Sequence, residues 1–308
     1  MQYKYFSTRK YQSQPKYRIF IKRHIALFPE LCYNYLKAKN ARLGGAVEGI
    51  RKMKILAIGD VTSPAAAEYL STRLWSYRRE RGIDFCVVNA ENAGFMTGAS
   101  PDIAKMLLAG GADCLTGGNH TMRNRSVYTF LDDTREMLRP INFGDSAPGR
   151  GYTVLDAGGV LVLVISAMGC IGIEPRLNSP FEYIERALKD AGEYDIALLD
   201  IHAEATGEKL AIAHAFDGRI HCIFGTHTHV PTADEQILPH GSGYISDVGM
   251  CGESGGILGM EIERTVLRMK TQLPYPFIVA RGPVVANGVI FTLDDKTRRV
   301  ISVERVKL

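Results

Sequence analysis

Ile220-His221-Cys222-Ile223-Phe224-Gly225-Thr226-His227-Thr228-His229-Val230 joins an apolar run to two histidines spaced two residues apart. A short apolar run that ends at glycine reads as a buried strand. Side chains alternate along an extended backbone, so His227 and His229 are expected to leave the strand end in the same direction. Two imidazoles delivered together suit a metal ion, although a surface loop can also carry a His-x-His pair. The other strand ends decide between the two.

Upstream, apolar runs alternate with helical patterns. Ile55–Ile58 stops at Gly59-Asp60, and Ala65–Arg81 follows with Ala, Leu and Trp at helical spacing before Gly82. Phe85–Val88 closes on Asn89-Ala90-Glu91-Asn92. After a helix over Ile103–Ala109, Asp113–Thr116 closes on Gly117-Gly118-Asn119-His120. Strand–helix alternation of this kind predicts parallel crossover units and an α/β fold. Tyr152–Leu155 and Val160–Ile165 flank Asp156-Ala157-Gly158-Gly159, a hairpin signal. A helix over Phe181–Ala191 precedes the strand Ile196–Ile201, which closes on His202-Ala203-Glu204, and Glu208–Ala215 is helical. Downstream, Gly243–Ser246, Pro276–Ala280, Val284–Thr292 and Val300–Val306 predict antiparallel strands, with one helix over Thr265–Leu273.

Five apolar strands thus end in groups able to bind a metal: Asp60, Glu91 with Asn92, Asn119 with His120, His202, and His227 with His229. Ligands of open α/β sheets bind beyond the carboxyl ends of the strands, so these residues are expected to converge. Taken singly, Asp60 and Asn119 would also suit helix caps, and His202 a hydrogen-bonded core position. Together, the histidines, two carboxylates and two asparagines suit a pair of divalent ions sharing a carboxylate. Nitrogen and oxygen ligands without thiolate suit Fe, Mn or Zn and do not choose among the three.

The 308 residues carry a net charge of +4, which conceals a division. Residues 1–52 hold twelve Lys/Arg against Glu30 and Glu48, a balance of +10 that leaves 53–308 at −6. The main domain is therefore predicted over 53–308 and carries no basic footprint for a long nucleic acid. The preceding 1–52, where tyrosines and phenylalanines stand among Lys and Arg, is predicted to be a poorly ordered basic aromatic extension. RNA contact by stacking and charge, or an amphipathic helix over Ile19–Leu36, are its functional alternatives. The six cysteines are scattered and form no Cys-x-x-Cys pair. Buried thiols, a reducing compartment and a cytoplasmic protein are expected. No apolar run reaches the length of a membrane span.

The motifs Gly59-Asp60-Val61, Asn89-Ala90-Glu91-Asn92-Ala93, Gly118-Asn119-His120-Thr121, His202-Ala203-Glu204-Ala205-Thr206 and Gly225-Thr226-His227-Thr228-His229-Val230 share a recognisable order. With Arg139-Pro140-Ile141-Asn142-Phe143, Ile245-Ser246-Asp247-Val248-Gly249-Met250 and Gly255-Gly256-Ile257-Leu258-Gly259-Met260, the set resembles the YmdB-type branch of calcineurin-like metallophosphoesterases. The resemblance covers Met53–Leu308. It implies a four-layer α/β/β/α sandwich of two mixed sheets, two divalent metal ions, and hydrolysis of small phosphodiesters such as 2′,3′-cyclic nucleotides. It also implies Asp60, Asn92 and His229 on one metal, Asn119, His202 and His227 on the other, Glu91 bridging, and His120 beside them. Unlike the wider superfamily, the chain has Thr62 where a histidine usually stands, and Glu91-Asn92 replaces a second Gly-Asp motif.

The expected reaction is attack on phosphorus by a hydroxide held between the metals, with His120 as general acid. Glu204 and Asp247 are candidates for orienting ligand imidazoles. Phosphomonoester hydrolysis is the nearest alternative, followed by a metal-stapled regulatory or RNA-interacting protein. Expected partners are a small phosphodiester and, for the alternatives, RNA at the N-terminal extension; assembly into a homo-oligomer is left open.

Overall fold

In the computed structural model, which describes residues 52–94 and 97–308, strand β1 (Lys52–Ile58) sends alternate side chains into two different cores. Leu56 and Ile58 face one of them, and Ile55 and Ala57 the other. A period of two makes this division unavoidable for a strand buried on both faces. Residues 1–51, with nearly all of the predicted basic extension, lie outside the described residues.

Beside β1 lie β3 (Phe85–Asn89), in parallel, and then β4 (Cys114–Thr116), parallel to β3. On its other side β12 (Val284–Asp294) runs antiparallel and also pairs with β13 (Val300–Lys307). The short β11 (Met250–Glu253) joins β12 to β2 (Asp60–Val61), giving the order β2-β11-β12-β1-β3-β4 with β13 off that path. The second sheet is built from β5 (Tyr152–Asp156), β6 (Leu161–Met168), β7 (Ile196–His202), β8 (Cys222–Thr226), β10 (Gly243–Ile245) and β9 (Gln236–Ile237), adjacent in that order.

The helices are α1 (Pro64–Arg81), α2 (Pro101–Gly110), the short α3 (Tyr128–Asp133), α4 (Pro180–Asp190), α5 (Thr206–Ala215) and α6 (Ile262–Thr271). Leu70 and Leu74 of α1 and Ile103 and Leu107 of α2 cover Leu56 and Ile58. Val162, Val164, Leu198 and Phe224 of the second sheet meet Ile55, Phe85 and Val87 of the first. Ile184 of α4 and Ile212 of α5 cover the outer residues Leu163, Leu199 and Ile223. Three stacked cores separate four layers, so the fold is the predicted α/β/β/α sandwich of two mixed sheets.

Most predicted elements are present within a few residues. Three expectations are corrected. Pro276–Ala280 forms no strand and contributes only the bridge Met260–Val279. β10, expected to be antiparallel, runs parallel to β8 and is antiparallel only to β9. Asp60 does not cap α1: the Ser63 hydroxyl accepts from the Ala66 amide and performs that task. Cys86, Cys114 and Cys222 are buried free thiols, as their apolar surroundings predict. No helix among the described residues is long and apolar enough to cross a membrane.

Candidate metal centre

The strands of both sheets deliver their carboxyl ends to one place. Asp60 follows β1 across Gly59, Glu91 and Asn92 occupy the turn after β3, and Asn119 and His120 follow β4. His202 is the last residue of β7, and His227 and His229 follow β8. Contacts connect all eight. His202 Nε2 is 3.0 Å from Asn119 Oδ1, 3.2 Å from His227 Nδ1 and 3.8 Å from Glu91 Oε2. The His227 amide donates to Asp60 Oδ2 at 3.0 Å. Glu91 Oε2 accepts from the His120 amide and from His120 Nδ1, each at 3.1 Å, and His120 Nδ1 also meets Asn92 Oδ1. Asn92 Nδ2 closes the network on His229 Nε2 at 3.3 Å.

The two histidines of the His-x-His pair reach the cluster by a different route from the one predicted. β8 ends at Thr226, and the backbone then turns left-handed, with φ of 101° at His227 and 65° at His229. Such angles are costly for residues with a Cβ and persist only where surroundings hold them. At His227 a fully buried ion pair does so. Lys209 Nζ donates to the Thr226 carbonyl and to Asp247 Oδ2, both at 2.8 Å, while Asp247 Oδ2 accepts from the Thr228 amide at 3.1 Å. The peptide groups on either side of His227 are thus gripped by one Lys–Asp pair. Asp247, a candidate for orienting imidazoles, holds backbone instead, and Glu204 does meet a ring, at 3.1 Å from His227 Nε2.

Each of the three inner histidines is tethered by its outer nitrogen. His227 Nε2 faces Glu204, His229 Nδ1 lies 3.4 Å from the Leu258 carbonyl, and His202 Nδ1 is 2.9 Å from the Thr226 hydroxyl. An N–H directed at an outer acceptor leaves the inward nitrogen of a neutral imidazole with a free lone pair. Burial pushes the titration of all three rings below the ordinary histidine range, which keeps them neutral.

The carboxylates respond in opposite directions. Burial, reinforced by Glu91 and Asp247, pushes the Asp60 carboxyl well above the usual range. Burial would raise Glu91 as well, but the neighbouring histidines reverse the direction. His202 leads that reversal, followed by the hydrogen bond from His120. Asp60 Oδ1 and Glu91 Oε1 are buried without a hydrogen-bond partner. Asp60 Oδ1 is 3.5 Å from His202 Nδ1, which stands closer to the Thr226 hydroxyl, at 2.9 Å. Ligand atoms of Asp60, Glu91 and His202 all lie within 4.8 Å of one another. Orphaned carboxylate oxygens within reach of the His202 imidazole make a donor set suited to a divalent cation, because an unpaired carboxylate oxygen is costly in the dry interior and a metal satisfies it.

Sequence reading missed Lys209 and Asp200, both fully buried. The available signals were a lysine on the inward face of a helix and an aspartate inside the apolar run of β7.

Two mixed sheets flanked by helices, with this cluster at their shared carboxyl-end edge, define a metallophosphoesterase-type fold. Residues 56–306 match the sequence model of the family described as YmdB-like protein, and the chain belongs to that family. It is 39% identical over 255 residues to a Bacillus subtilis (strain 168) protein named 2′,3′-cyclic-nucleotide 2′-phosphodiesterase, covering 82% of this chain and 96% of the relative. A crystal structure of a phosphatase from Mycoplasma pneumoniae superposes with a TM-score of 0.78 at 30% identity, covering 84% of this chain and 94% of that one. A Staphylococcus aureus chain assigned as a 5′-nucleotidase shares the fold at 16% identity, with a TM-score of 0.51 over 84% of this chain and 54% of its own. The relatives named here are phosphoric ester hydrolases.

Proposed function

We propose that the chain is a metal-dependent phosphodiesterase acting on small phosphodiesters of the 2′,3′-cyclic nucleotide type. The observation that carries this reading is the pair of orphaned, buried carboxylate oxygens on Asp60 and Glu91, set with the His202 imidazole within 4.8 Å of one another in ligand atoms. The activity named for the Bacillus subtilis relative supports the choice of substrate.

In this reading Asp60, Asn92 and His229 would hold one ion and Asn119, His202 and His227 the other, with Glu91 available to both. The contacts of Asn119 with His202 and of His202 with His227, and that of Asn92 with His229, support such a division. The nitrogen and oxygen donors suit Fe, Mn or Zn. When bound, the ion pair supplies Lewis-acid neutralisation of the phosphoryl oxygens and activation of a water nucleophile.

His120 performs the proton transfer. Its Nδ1 is held by Glu91 and Asn92, which fixes the ring and leaves Nε2 to give a proton to the departing ribose oxygen. Its side chain is 14% exposed, so it borders the cluster rather than lying within it. Glu204 holds His227 from the solvent side, and the Lys209–Asp247 grip keeps His227 in its left-handed position.

The test is metal analysis of the purified protein combined with a panel of 2′,3′-cyclic, 3′,5′-cyclic and linear phosphodiesters and of phosphomonoesters. Metal-dependent turnover of the 2′,3′-cyclic substrates ahead of the others is expected. Protein that retains no divalent ion, or that hydrolyses only monoesters, would reject the proposal.

A further inference from the structure

His202 differs from the other two inner histidines in the group that tethers it. Glu204 and the Leu258 carbonyl can only accept, so the rings they face must present an N–H outward. A threonine hydroxyl can donate or accept. With Thr226 alone, His202 Nδ1 could equally be the acceptor of the hydroxyl proton, and the N–H would then sit on Nε2, inside the cluster. Something else must settle the direction of that bond.

The neighbours of Thr226 settle it. Asp200, fully buried in β7, places Oδ1 2.7 Å from the Thr226 hydroxyl. Its Oδ2 accepts from Asn89 Nδ2 at 2.9 Å and from the Thr116 hydroxyl. The orientation of the Asn89 amide is itself fixed, because Asn89 Oδ1 accepts from the Glu91 amide at 3.0 Å. Asn89 Nδ2 is also 3.2 Å from the Thr226 oxygen. Both Asp200 oxygens accept in this arrangement, Oδ2 from Asn89 and Thr116 and Oδ1 from Thr226, so the single hydroxyl proton of Thr226 goes to Asp200. The two lone pairs that remain on Thr226 face Asn89 Nδ2 and His202 Nδ1. His202 Nδ1 therefore carries its hydrogen, and Nε2 is left bare with Asn119 Oδ1 at 3.0 Å and Glu91 Oε2 at 3.8 Å, acceptors converging on one point as a cation requires.

We propose that Asp200 is a positioning residue which, through the Thr226 hydroxyl, fixes the tautomer of His202 and thereby makes its Nε2 available to a metal ion. The inference rests on the proposed function only in taking that ion as the ligand. Its protonic part concerns this chain alone. Partners of ligating histidines matter because they set tautomer and ring direction; losing one costs roughly 10- to 100-fold in metal affinity.

The exchange Asp200→Asn tests the direction specifically. The amide must turn its oxygen toward the fixed Asn89 donor, so its NH2 faces Thr226 and donates to it. The Thr226 proton then goes to His202 Nδ1, and the ring hydrogen moves to Nε2. In ¹⁵N-histidine-labelled, metal-free protein, long-range ¹⁵N–¹H spectra should show His202 as the Nδ1–H tautomer in the parent chain and in Thr226→Ser, and as the Nε2–H tautomer in Asp200→Asn. Titration with Mn²⁺ should show affinity at this site lower by roughly 10- to 100-fold in Asp200→Asn and in Thr226→Val. The double variant should bind no more weakly than Thr226→Val, since the carboxylate acts through the hydroxyl.

An Asp200→Asn protein that keeps the Nδ1–H tautomer and the parent affinity would overturn the proposal, as would additive losses in the double variant. If Asp200→Asn does not fold, the comparison of Thr226→Val with Thr226→Ser decides, and equal Mn²⁺ affinity in the two overturns it. A parent chain with the Nδ1–H tautomer but no affinity for divalent ions would refute the metal reading while upholding the hydrogen-bond relay.

Discussion

At Gly118 an added methyl group would lie 2.4 Å from the Cδ2 and Nε2 atoms of His202, well inside van der Waals contact. The glycine therefore leaves the space that the His202 ring occupies. Gly118→Ala should displace that ring, lowering divalent-ion affinity by roughly tenfold or more with little change in the circular dichroism spectrum, since the neighbouring strands are untouched. His120 stands differently: its Nδ1 is fixed by Glu91 and Asn92 and it faces the substrate side. His120→Ala should lose about 10²- to 10⁴-fold in turnover while retaining bound metal. His227→Ala, which removes a nitrogen 3.2 Å from His202 Nε2, should lose metal as well. Metal content measured beside activity separates the two, and equal metal loss in both variants would contradict the assigned roles.

At the scale of elements, the site depends on a helix that supplies no residue to the cluster. α5 contributes Lys209, whose ammonium is fully buried against Asp247 and the Thr226 carbonyl. Removing one member of a buried pair strands the other charge, so Lys209→Met should cost about 3–5 kcal/mol, read as a fall in the denaturant midpoint. Combining it with Asp247→Asn removes the stranded charge and should recover part of the loss. The grip also explains why the sequence was legible only to a point. Apolar runs closing on polar residues disclosed β1, β3, β4, β7 and β8, because buried parallel strands need continuous hydrophobicity. β2, β9 and β11 are two to four residues long and leave no periodic trace. The β-branched residues of Pro276–Ala280 suggested a strand, but only Val279 finds a bridging partner there. The left-handed turn at His227 was illegible for a different reason: it is held by Lys209 and Asp247, about 20 residues away on either side along the chain.

For the molecule as a whole, the Asp60 carboxylate opposes folding unless a cation meets it. Asp60 has its carboxyl pushed well above the ordinary value of 3.8, so in metal-free protein its contribution to stability is present below that value and is lost as pH rises through the shifted one. The inner histidines act from the other side. Their titration is pushed below the ordinary 6.5, so they favour the folded state above 6.5 and that contribution is lost as pH falls. A bound ion removes the penalty on Asp60 and adds its own linkage, about 2.7 kcal/mol when free metal stands at a hundred times its dissociation constant. Asp60→Asn should therefore separate stability from function. The amide oxygen can still accept from the His227 backbone, but the buried charge is gone. In chelator at neutral pH the variant should melt above the parent, and its stability should fall less as pH rises from 4 to 8. In excess Mn²⁺ the order should reverse, because only the parent gains from loading. Thermal melts of both proteins across that pH range, with chelator and with metal, measure this directly. A parent chain more stable than Asp60→Asn in chelator would mean that the carboxylate is satisfied by protein groups alone, and the case for a cation between the two sheets would fail with it.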